Sequence, residues 1–365
     1  MILQFGAGNF LRAFADLFID EMSRDPDMIV GRVRVVQSTG RDRAEALNRA
    51  GGRYHVAIQG YETGQIVDKT VEVASIECAW HAGDDWDAIL DTAADPGLRV
   101  ILSNTTEAGL ALDDADDRPG PAAPVSFPAK LLALLRHRHR AGLPGPWIVP
   151  CELIEANGAV LKGLVRRQAE RWGVPADTLD WLENDCRWVN TLVDRIVPGP
   201  PGEHPLLGVD PLLVSAEPFA FWAVESAAPD AFPFRHPAIL TAPDIAPYTL
   251  RKVRLLNAAH SALVCKAPAF GVETVREGVE HPVLGEWLEG LLFEEIVPVL
   301  EGRCDDPAGF ARAVLDRFRN PFLEHRLSSI ALNHEAKIAV RLKPALSEYR
   351  SQFGADPPRL AEILA

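Results

Sequence analysis

Cysteine is scarce in this chain and follows no motif. The five cysteines are spread between Cys78 and Cys304, and no CxxC pair occurs among the 365 residues. Zinc sites and disulfide frameworks both draw on closely or regularly spaced cysteines, so the sequence argues against either. We therefore expect no metal site, and we expect reduced thiols, as in the cytoplasm.

Long apolar runs and an excess of positive charge are also missing. No stretch approaches the roughly 18 apolar residues that cross a bilayer, and no basic segment precedes the short apolar run of a signal peptide. The 51 acidic residues outnumber the 37 basic ones, which gives a formal net charge of -14. Nucleic acids and anionic membranes attract clustered positive charge, so we expect neither as a partner. We expect a cytoplasmic protein, and its charge is compatible with an anionic small substrate, because a pocket can be locally basic.

Two patterns of secondary structure divide the chain. Short β-type runs, at 2–5, 32–37, 98–104 and 146–153, alternate with amphipathic helical segments, which is typical of a parallel α/β sheet. Beyond Pro247 the pattern is helical, at 248–266, 283–299, 307–318, 324–341 and 346–352. We predict an α/β protein with an N-terminal Rossmann-type parallel-sheet domain, carrying added strands, over 1–245. A mostly helical C-terminal domain, which binds the substrate, would follow over 246–365.

The first motif is ILQFGAGNFLRAF at the start of the chain. A strand that runs into Gly6-x-Gly8 and then into a helix is how many proteins hold a dinucleotide pyrophosphate. Asn9 and Phe10 would then line the cofactor at the helix start. Leu11 stands where the usual fingerprint has a third glycine. An ordinary strand–turn–helix is the alternative interpretation, but the position at the head of an α/β pattern favours the cofactor site.

The end of the second strand bears on the choice of cofactor. An acidic residue there usually bonds the ribose of NAD, but this chain has Gln37 and Ser38, followed by Arg41 and Arg43. Gln37 and Ser38 are the candidates for the ribose of NAD, whereas the arginines could accommodate the extra phosphate of NADP. The alternative is that both arginines belong to a solvated helix start.

Three further segments carry polar groups near strand ends. Asn104, Thr105 and Glu107 in SNTTEAG follow a predicted parallel strand, where open sheets bind ligands, and could line the nicotinamide side; a capped helix start is the alternative. PCELIEANG has the same character. In VNTLVDRI, Asn190 is a candidate polar ligand, whereas a structural ion pair is the favoured interpretation of the neighbouring Asp194 and Arg195.

An apolar helix in the second half carries three polar groups. In KVRLLNAAHSAL, Asn257 and His260 lie three residues apart, so an α-helix places them on one surface that Lys252 can also reach. Oxidation of a secondary alcohol requires a base for the hydroxyl proton and donors for the developing charge. A lysine can act as that base if burial and neighbouring cations lower its pKa. A surface lysine beside a satisfied core histidine is the alternative.

Taken in order, FGAGNFLRAF, SNTTEAG, PCELIEANG, NTLVDRI, KVRLLNAAH and RFRNPFLEHRLSSIALNHEAK resemble the polyol-specific long-chain dehydrogenases, the mannitol dehydrogenase-like family, over nearly the whole chain. The resemblance implies an NAD-dependent oxidoreductase that uses no metal. It implies Lys252 as the general base, Asn190 and Asn257 as groups that polarise the carbonyl, and His260 as a positioning residue. The match also places Lys337 near the active site.

The resemblance is strongest to the branch of the family that reduces uronates. The expected reaction interconverts a keto-sugar acid and its polyol acid, tagaturonate and altronate. Fructuronate and mannonate, mannitol-type polyols, or a nucleotide-binding sensor without catalysis are the alternatives. A uronate carboxylate is best held by a bidentate arginine, and Arg195 and Arg341 are candidates by elimination only. NADP stays open beside NAD, and the oligomeric state is not indicated.

Overall fold

The computed structural model describes residues 1–105 and 107–364, and the predicted cofactor contact of Glu107 lies outside the described side chains. The strands are β1 (Ile2–Phe5), β2 (Val33–Gln37), β3 (Tyr54–Glu62), β4 (Gln65–Val73), β5 (Ile76–His81), β6 (Val100–Ser103), β7 (Trp147–Pro150), β8 (Arg187–Trp188), β9 (Thr191–Asp194), β10 (Val214–Ala216), β11 (Phe221–Glu225) and β12 (Ile239–Ala242).

The α-helices of the first 245 residues are α1 (Asn9–Arg12), α2 (Ala15–Ser23), α3 (Asp42–Arg49), α4 (Trp86–Ala93), α5 (Phe127–Arg140), α6 (Asn157–Arg171) and α7 (Ala176–Asn184). The later ones are α8 (Ala246–Arg251), α9 (Ala258–Lys266), α10 (Val275–Glu280), α11 (Pro282–Gly290), α12 (Val297–Leu300), α13 (Pro307–Phe318), α14 (Leu327–Ile330), α15 (His334–Arg341), α16 (Lys343–Phe353) and α17 (Pro358–Leu364).

The chain forms two compact units. The first consists of 1–57, 70–216 and 220–245, and the second of 58–69, 217–219 and 246–365. None of the described helices is both long enough and apolar enough to cross a membrane.

A six-stranded parallel sheet organises the first unit, in the order β5-β2-β1-β6-β7-β8. Counted along the chain within this sheet, the order is 3-2-1-4-5-6, which is the dinucleotide-binding order of doubly wound folds. Every residue of β1, β6 and β7 is buried, because helices cover both faces of a parallel sheet. The strand order reverses between β1 and β6, so their carboxyl ends open the crevice where such sheets bind ligands.

Two smaller sheets accompany the parallel sheet. One has the order β10-β3-β4, in which the consecutive strands β3 and β4 are neighbours, and the other has the order β12-β11-β9. In the latter, β11 pairs in parallel with β12 and antiparallel with β9.

A helical core organises the second unit. Buried aliphatic residues of α9, α11 and α13, among them Leu263, Leu288 and Val314, pack around a continuous apolar centre. The helical periodicity beyond residue 247 predicted this part of the chain.

Several elements differ from the sequence prediction. The helix predicted over 324–341 is interrupted, since Asn333 has a φ of 56° between α14 and α15. The helix predicted over 283–299 changes to a π-helix over Leu291–Ile296, just before Pro298, whose missing amide cannot continue the α-helical hydrogen bonds. Strand β5 and helix α7 were not predicted.

Candidate active site

The glycine turn follows β1 directly. Gly6 has a φ of 121°, and a Cβ there would lie 2.8 Å from the carbonyl oxygen of Asn104, so only glycine fits this close approach. The buried Leu11 points a methyl carbon to within 3.4 Å of that Cβ position. Leu11 therefore packs behind the turn where the usual fingerprint has its third glycine. Gly8 has ordinary extended backbone and precedes α1.

A buried arginine that the sequence analysis missed organises the start of α1. Arg12 is 3% exposed, and its guanidinium donates to the side-chain oxygen of Asn9 at 2.7 Å and to the carbonyl of Leu212. Burial lowers the pKa of Arg12. Because Arg12 occupies the oxygen of Asn9, the amide nitrogen of Asn9 is the end left to meet a ligand. The ring of Phe10 stacks on the ring of Phe14, with the ring centres 4.8 Å apart.

Gln37 holds the turn after β2 together. Its nitrogen donates to the carbonyl of Thr39 at 2.8 Å and to the carboxylate of Asp42 at 3.2 Å, and its oxygen accepts from the amide of Ala44 at 2.8 Å. Both ends of the amide thus stabilise the start of α3. Ser38 is exposed beside this turn.

The two arginines of this turn have different surroundings. Arg41 pairs with Asp84 at 2.9 Å. A terminal nitrogen of Arg43 lies 3.8 Å from the position that a Cβ would take on Gly8. The guanidinium of Arg43 therefore lies beside the glycine turn, whereas that of Arg41 is neutralised.

Glu152 joins the ends of β6 and β7. It is 2% exposed and accepts hydrogen bonds from the hydroxyl of Ser103 at 3.0 Å and from the amide and hydroxyl of Thr105 at 2.9 and 3.0 Å. Burial raises the pKa of Glu152, against the effect of these bonds. Asn104 donates to the carbonyl of Cys151 at 2.6 Å. Asn104 and Thr105 are therefore held at the crevice by a network that the sequence motifs indicated only as separate polar groups.

Asn190 has a defined orientation. Its side-chain oxygen accepts from the amide of Ala159 in α6 at 2.9 Å, so its NH₂ group is the end available as a donor. The contact depends on Gly158, where a Cβ would lie 2.1 Å from the carbonyl oxygen of Val189. Ala156, which precedes α6, has a φ of 52°, and such left-handed strain in a residue with a Cβ is common at functional sites.

Arg195 has a structural environment. It is 8% exposed, donates to the carbonyl of Ala13 at 2.9 Å and lies 5.9 Å from the ring centre of Phe18. Ala13 lies in the break between α1 and α2, so the guanidinium satisfies a carbonyl that the interrupted helix leaves unpaired. This placement favours Arg341 over Arg195 as a group for a substrate carboxylate.

In the second unit, the KVRLLN segment is a π-helix over Lys252–Asn257, flanked by α8 and α9. An α-helix was predicted here from the sequence pattern, and nothing in the local sequence accounts for the change. A π-helix bonds residues five apart and is frequent at functional sites. Lys252 and Asn257 are five residues apart and so lie on neighbouring turns of the π-helix, and His260 follows three residues later in α9. Arg254 pairs with Glu348 at 3.2 Å, so its charge is offset.

His260 is a buried imidazole between two rings. It is 8% exposed, and its ring centre lies 4.3 Å from that of Phe318 and 4.9 Å from that of His325. One ring nitrogen bonds the carbonyl of Leu256, while Nε2 has no partner among the described residues. Burial, followed by electrostatic interactions with His325 and two arginines, holds the pKa of His260 well below its usual range. The ring is therefore neutral, with its proton on Nδ1 and a lone pair on Nε2.

Helix α15 presents basic side chains to α9. Arg341 donates to the hydroxyl of Ser261 at 3.3 Å, and Lys337 donates to the carbonyl of Ile330 at 2.7 Å. Burial lowers the pKa of both, and Arg341 lowers that of Lys337 further. Within the described part of the chain neither side chain forms an ion pair. The second unit thus holds unneutralised positive charge next to His260.

Comparison with protein-family models settles the family. The mannitol dehydrogenase Rossmann domain matches residues 1–233, and the mannitol dehydrogenase C-terminal domain matches residues 244–365. The chain belongs to the mannitol dehydrogenase family. The resemblance predicted from the motifs is confirmed.

Relatives of this family member include altronate oxidoreductases. The protein of Bacillus subtilis (strain 168) is 38% identical over 378 aligned positions, which cover 98% of this chain and 77% of the relative. That of Klebsiella pneumoniae subsp. pneumoniae is 40% identical over 379 positions, which cover 100% and 78%.

Solved structures show the same fold. A substrate-free D-sorbitol dehydrogenase has a TM-score of 0.85 at 23% identity, covering 100% of this chain and 78% of that one. The mannitol 2-dehydrogenase of Pseudomonas fluorescens, in a ternary complex with NAD and D-mannitol, has a TM-score of 0.77 at 23% identity, covering 100% and 77%. The predicted fold class, a Rossmann-type sheet followed by a helical part, is confirmed.

No metal-binding cluster is present across residues 1–105 and 107–364: no group of three or more His, Cys, Asp or Glu side chains could hold an ion there.

Proposed function

We propose that this mannitol dehydrogenase family member is an NAD-dependent oxidoreductase that interconverts tagaturonate and altronate. Full-length similarity to altronate oxidoreductases, at 38–40% identity, supports this substrate pair. The observation that carries the chemistry is the π-helix over Lys252–Asn257, which places Lys252 and Asn257 on neighbouring turns, just before the neutral imidazole of His260. We further propose that the reaction takes place in the cytoplasm.

The glycine turn fits a dinucleotide. The absence of a side chain at Gly6 leaves a backbone cradle at the point where the strand order reverses, which is where such folds bind nucleotides. NAD, when bound, supplies the hydride acceptor or donor. The residues that we propose to hold it are Gly6, Gly8, Asn9 and Phe10 at the turn, Ser38 on the adenosine side, where Gln37 shapes the turn after β2, and Asn104 and Thr105 on the nicotinamide side. Arg43, beside the turn, keeps NADP open as the alternative.

Each polar residue has a distinct role in the proton chemistry. Lys252 removes the hydroxyl proton during oxidation and returns it during reduction. Asn190, whose oxygen is held by α6, and Asn257 donate to the substrate oxygen as its charge develops. His260 is neutral and offers a lone pair, so it positions the substrate by accepting a hydrogen bond from a hydroxyl group.

The substrate carboxylate would bind at Arg341. This guanidinium is half-buried and has no carboxylate partner among the described residues, and Lys337 adds a second cation from the same helix. We expect Arg341→Met to raise the KM for tagaturonate about 100-fold, because a charge-assisted bidentate contact is lost, and to change the KM for an uncharged ketose little. Arg312→Met, at an exposed position of α13, is the matched control.

The decisive experiment follows the absorbance of reduced nicotinamide. The protein is incubated with NADH or NADPH and with tagaturonate, fructuronate or fructose in turn. Fastest oxidation of NADH with tagaturonate is the expected result. Faster oxidation with fructuronate or fructose would move the assignment to a mannonate- or mannitol-type dehydrogenase. No oxidation with any substrate would contradict the proposal and favour a nucleotide-binding sensor.

A further inference from the structure

His325 is a second imidazole next to His260, and nothing in the second unit uses its ring nitrogens. Its ring centre lies 4.9 Å from that of His260, with the planes at 65°. Within the described residues neither ring nitrogen of His325 forms a hydrogen bond. Burial lowers the pKa of His325, so this ring is also neutral near pH 7.

The backbone, and not the ring, fixes the position of His325. The amide of Val275 donates to the carbonyl of His325 at 2.9 Å, and the next residue, Arg326, forms a β-bridge with Thr274. The amide of Leu327 donates to the carbonyl of Glu273 at 2.9 Å. These bonds hold the segment in place whatever the side chain at 325, so a structural role does not require an imidazole there.

The two rings are chemically complementary. His260 offers a lone pair at Nε2, and Phe318 closes its other face. A neutral His325 offers one N–H and one lone pair. A hydroxyl group both donates and accepts, so two neighbouring neutral imidazoles suit hydroxyl groups on adjacent carbons. A carboxylate would instead need a positive charge, which Arg341 supplies.

We propose that His325 is a substrate-binding residue that hydrogen-bonds a hydroxyl of the sugar chain next to the hydroxyl held by His260. This inference rests on the proposed function and extends it. It assigns a residue that binds a hydroxyl group of the substrate, whereas Arg341 binds the carboxylate. Packing of the ring against His260 alone is the competing explanation.

Three substitutions separate recognition from packing. His325→Phe keeps a flat ring and removes both nitrogens, while His325→Asn and His325→Gln keep a hydrogen-bonding group near the Nδ1 and Nε2 positions. We expect His325→Phe to lower kcat/KM for the sugar acid about 10- to 100-fold, mainly through KM, because a buried hydrogen bond loses its protein partner. Asn or Gln should recover part of that loss. The affinity for NADH, measured by fluorescence titration, should not change in any of the three.

The control is His281→Asn. His281 is also half-buried, but its ring accepts from the amide of Leu284 as the N-terminal cap of α11, a role that asparagine can keep. We expect this variant to retain the parent kcat/KM.

Deoxy analogues of the substrate provide the sharper test. If His325 binds one hydroxyl, the loss caused by His325→Phe should vanish with the analogue that lacks that hydroxyl and persist with the others. An equal loss with every analogue, or no loss with the natural substrate, would overturn the inference. If His325→Phe does not fold, the same comparison is made with His325→Leu, which also lacks both ring nitrogens. Absence of turnover in the parent protein would instead refute the proposed function.

Discussion

The fully buried Asp16 in α2 should make the stability of this protein fall as the pH rises. Burial raises the pKa of its carboxyl to about 7, although a hydrogen bond from Gln4 and the charge of Arg12 oppose the rise. The nitrogen of Gln4 donates to Asp16 at 3.2 Å and to the carbonyl of Gly6 at 3.1 Å. Two buried oxygens, Oδ1 of Asp16 and Oε1 of Gln4, have no partner among the described residues. We predict that Asp16→Asn stabilises the protein at pH 8.

The magnitude follows from proton linkage. A raised pKa means that the folded state binds the proton more tightly than the unfolded state, so the free energy of unfolding falls as the pH rises from the ordinary pKa of 3.8 to about 7. At about 1.36 kcal/mol per pKa unit, the whole loss is about 4 kcal/mol. About 2.5 kcal/mol of this loss in unfolding free energy occurs between pH 5 and pH 8. Asparagine does not titrate, and its NH₂ group can donate to the unpaired oxygen of Gln4.

The assay is urea unfolding of the parent and of Asp16→Asn at pH 5 and pH 8. The difference in unfolding free energy between the two proteins should grow by about 2.5 kcal/mol in favour of the variant as the pH rises. Asp20→Asn, one turn further along α2, is the control. Asparagine can still accept from the amide of Ala74 but loses the charged oxygen that pairs with Arg24, so this variant should destabilise by a similar amount at both pH values. A constant difference between parent and Asp16→Asn across the two pH values would refute the reasoning.

Two further predictions concern the candidate site. Lys252→Ala should leave NADH affinity unchanged and lower turnover 10²- to 10⁴-fold, the range for removal of a general acid–base group; near-parent turnover at neutral pH would remove Lys252 from that role. Gly6→Ala should weaken NADH binding in a fluorescence titration and lower the unfolding free energy by about 1–3 kcal/mol more than Gly64→Ala does. Both glycines have a positive φ, but only a Cβ at Gly6 meets neighbouring backbone; equal losses would contradict the close approach.

The fold could be predicted from the sequence where the burial of an element produces a recognisable apolar pattern. The central strands β1, β6 and β7 are buried on both faces and appear as short apolar runs between helices. Strand β5, IECAWH, lies at the edge of the sheet and mixes buried with exposed positions, so it has no such signal. Strand β8 is only two residues long and exists through its pairing with β7.

The candidate site was predictable as motifs but not as contacts. The sequence places Gln37 and Arg195 at plausible ligand positions, yet the amide of Gln37 holds the start of α3 and the guanidinium of Arg195 satisfies a carbonyl at a helix break. Those partners are distant or local backbone groups, which no residue pattern specifies. Arg12 and His325 were missed for the same reason, since a single arginine or histidine in an apolar segment gives no sign of what surrounds it.

The charge around α9 bears on the choice between a sugar acid and a neutral polyol. A protein with a net charge of -14 has ample carboxylates to pair with its cations, and Arg254 and Arg317 are in fact paired with Glu348 and Glu217. Arg341 forms no such pair within the described residues, although it approaches Ser261, the neighbour of His260. A neutral polyol would leave this half-buried cation without a counter-charge, which is costly. A substrate that carries a carboxylate as well as hydroxyl groups would neutralise Arg341 and also meet the neutral His260, so we infer that the site suits a uronate better than an uncharged polyol.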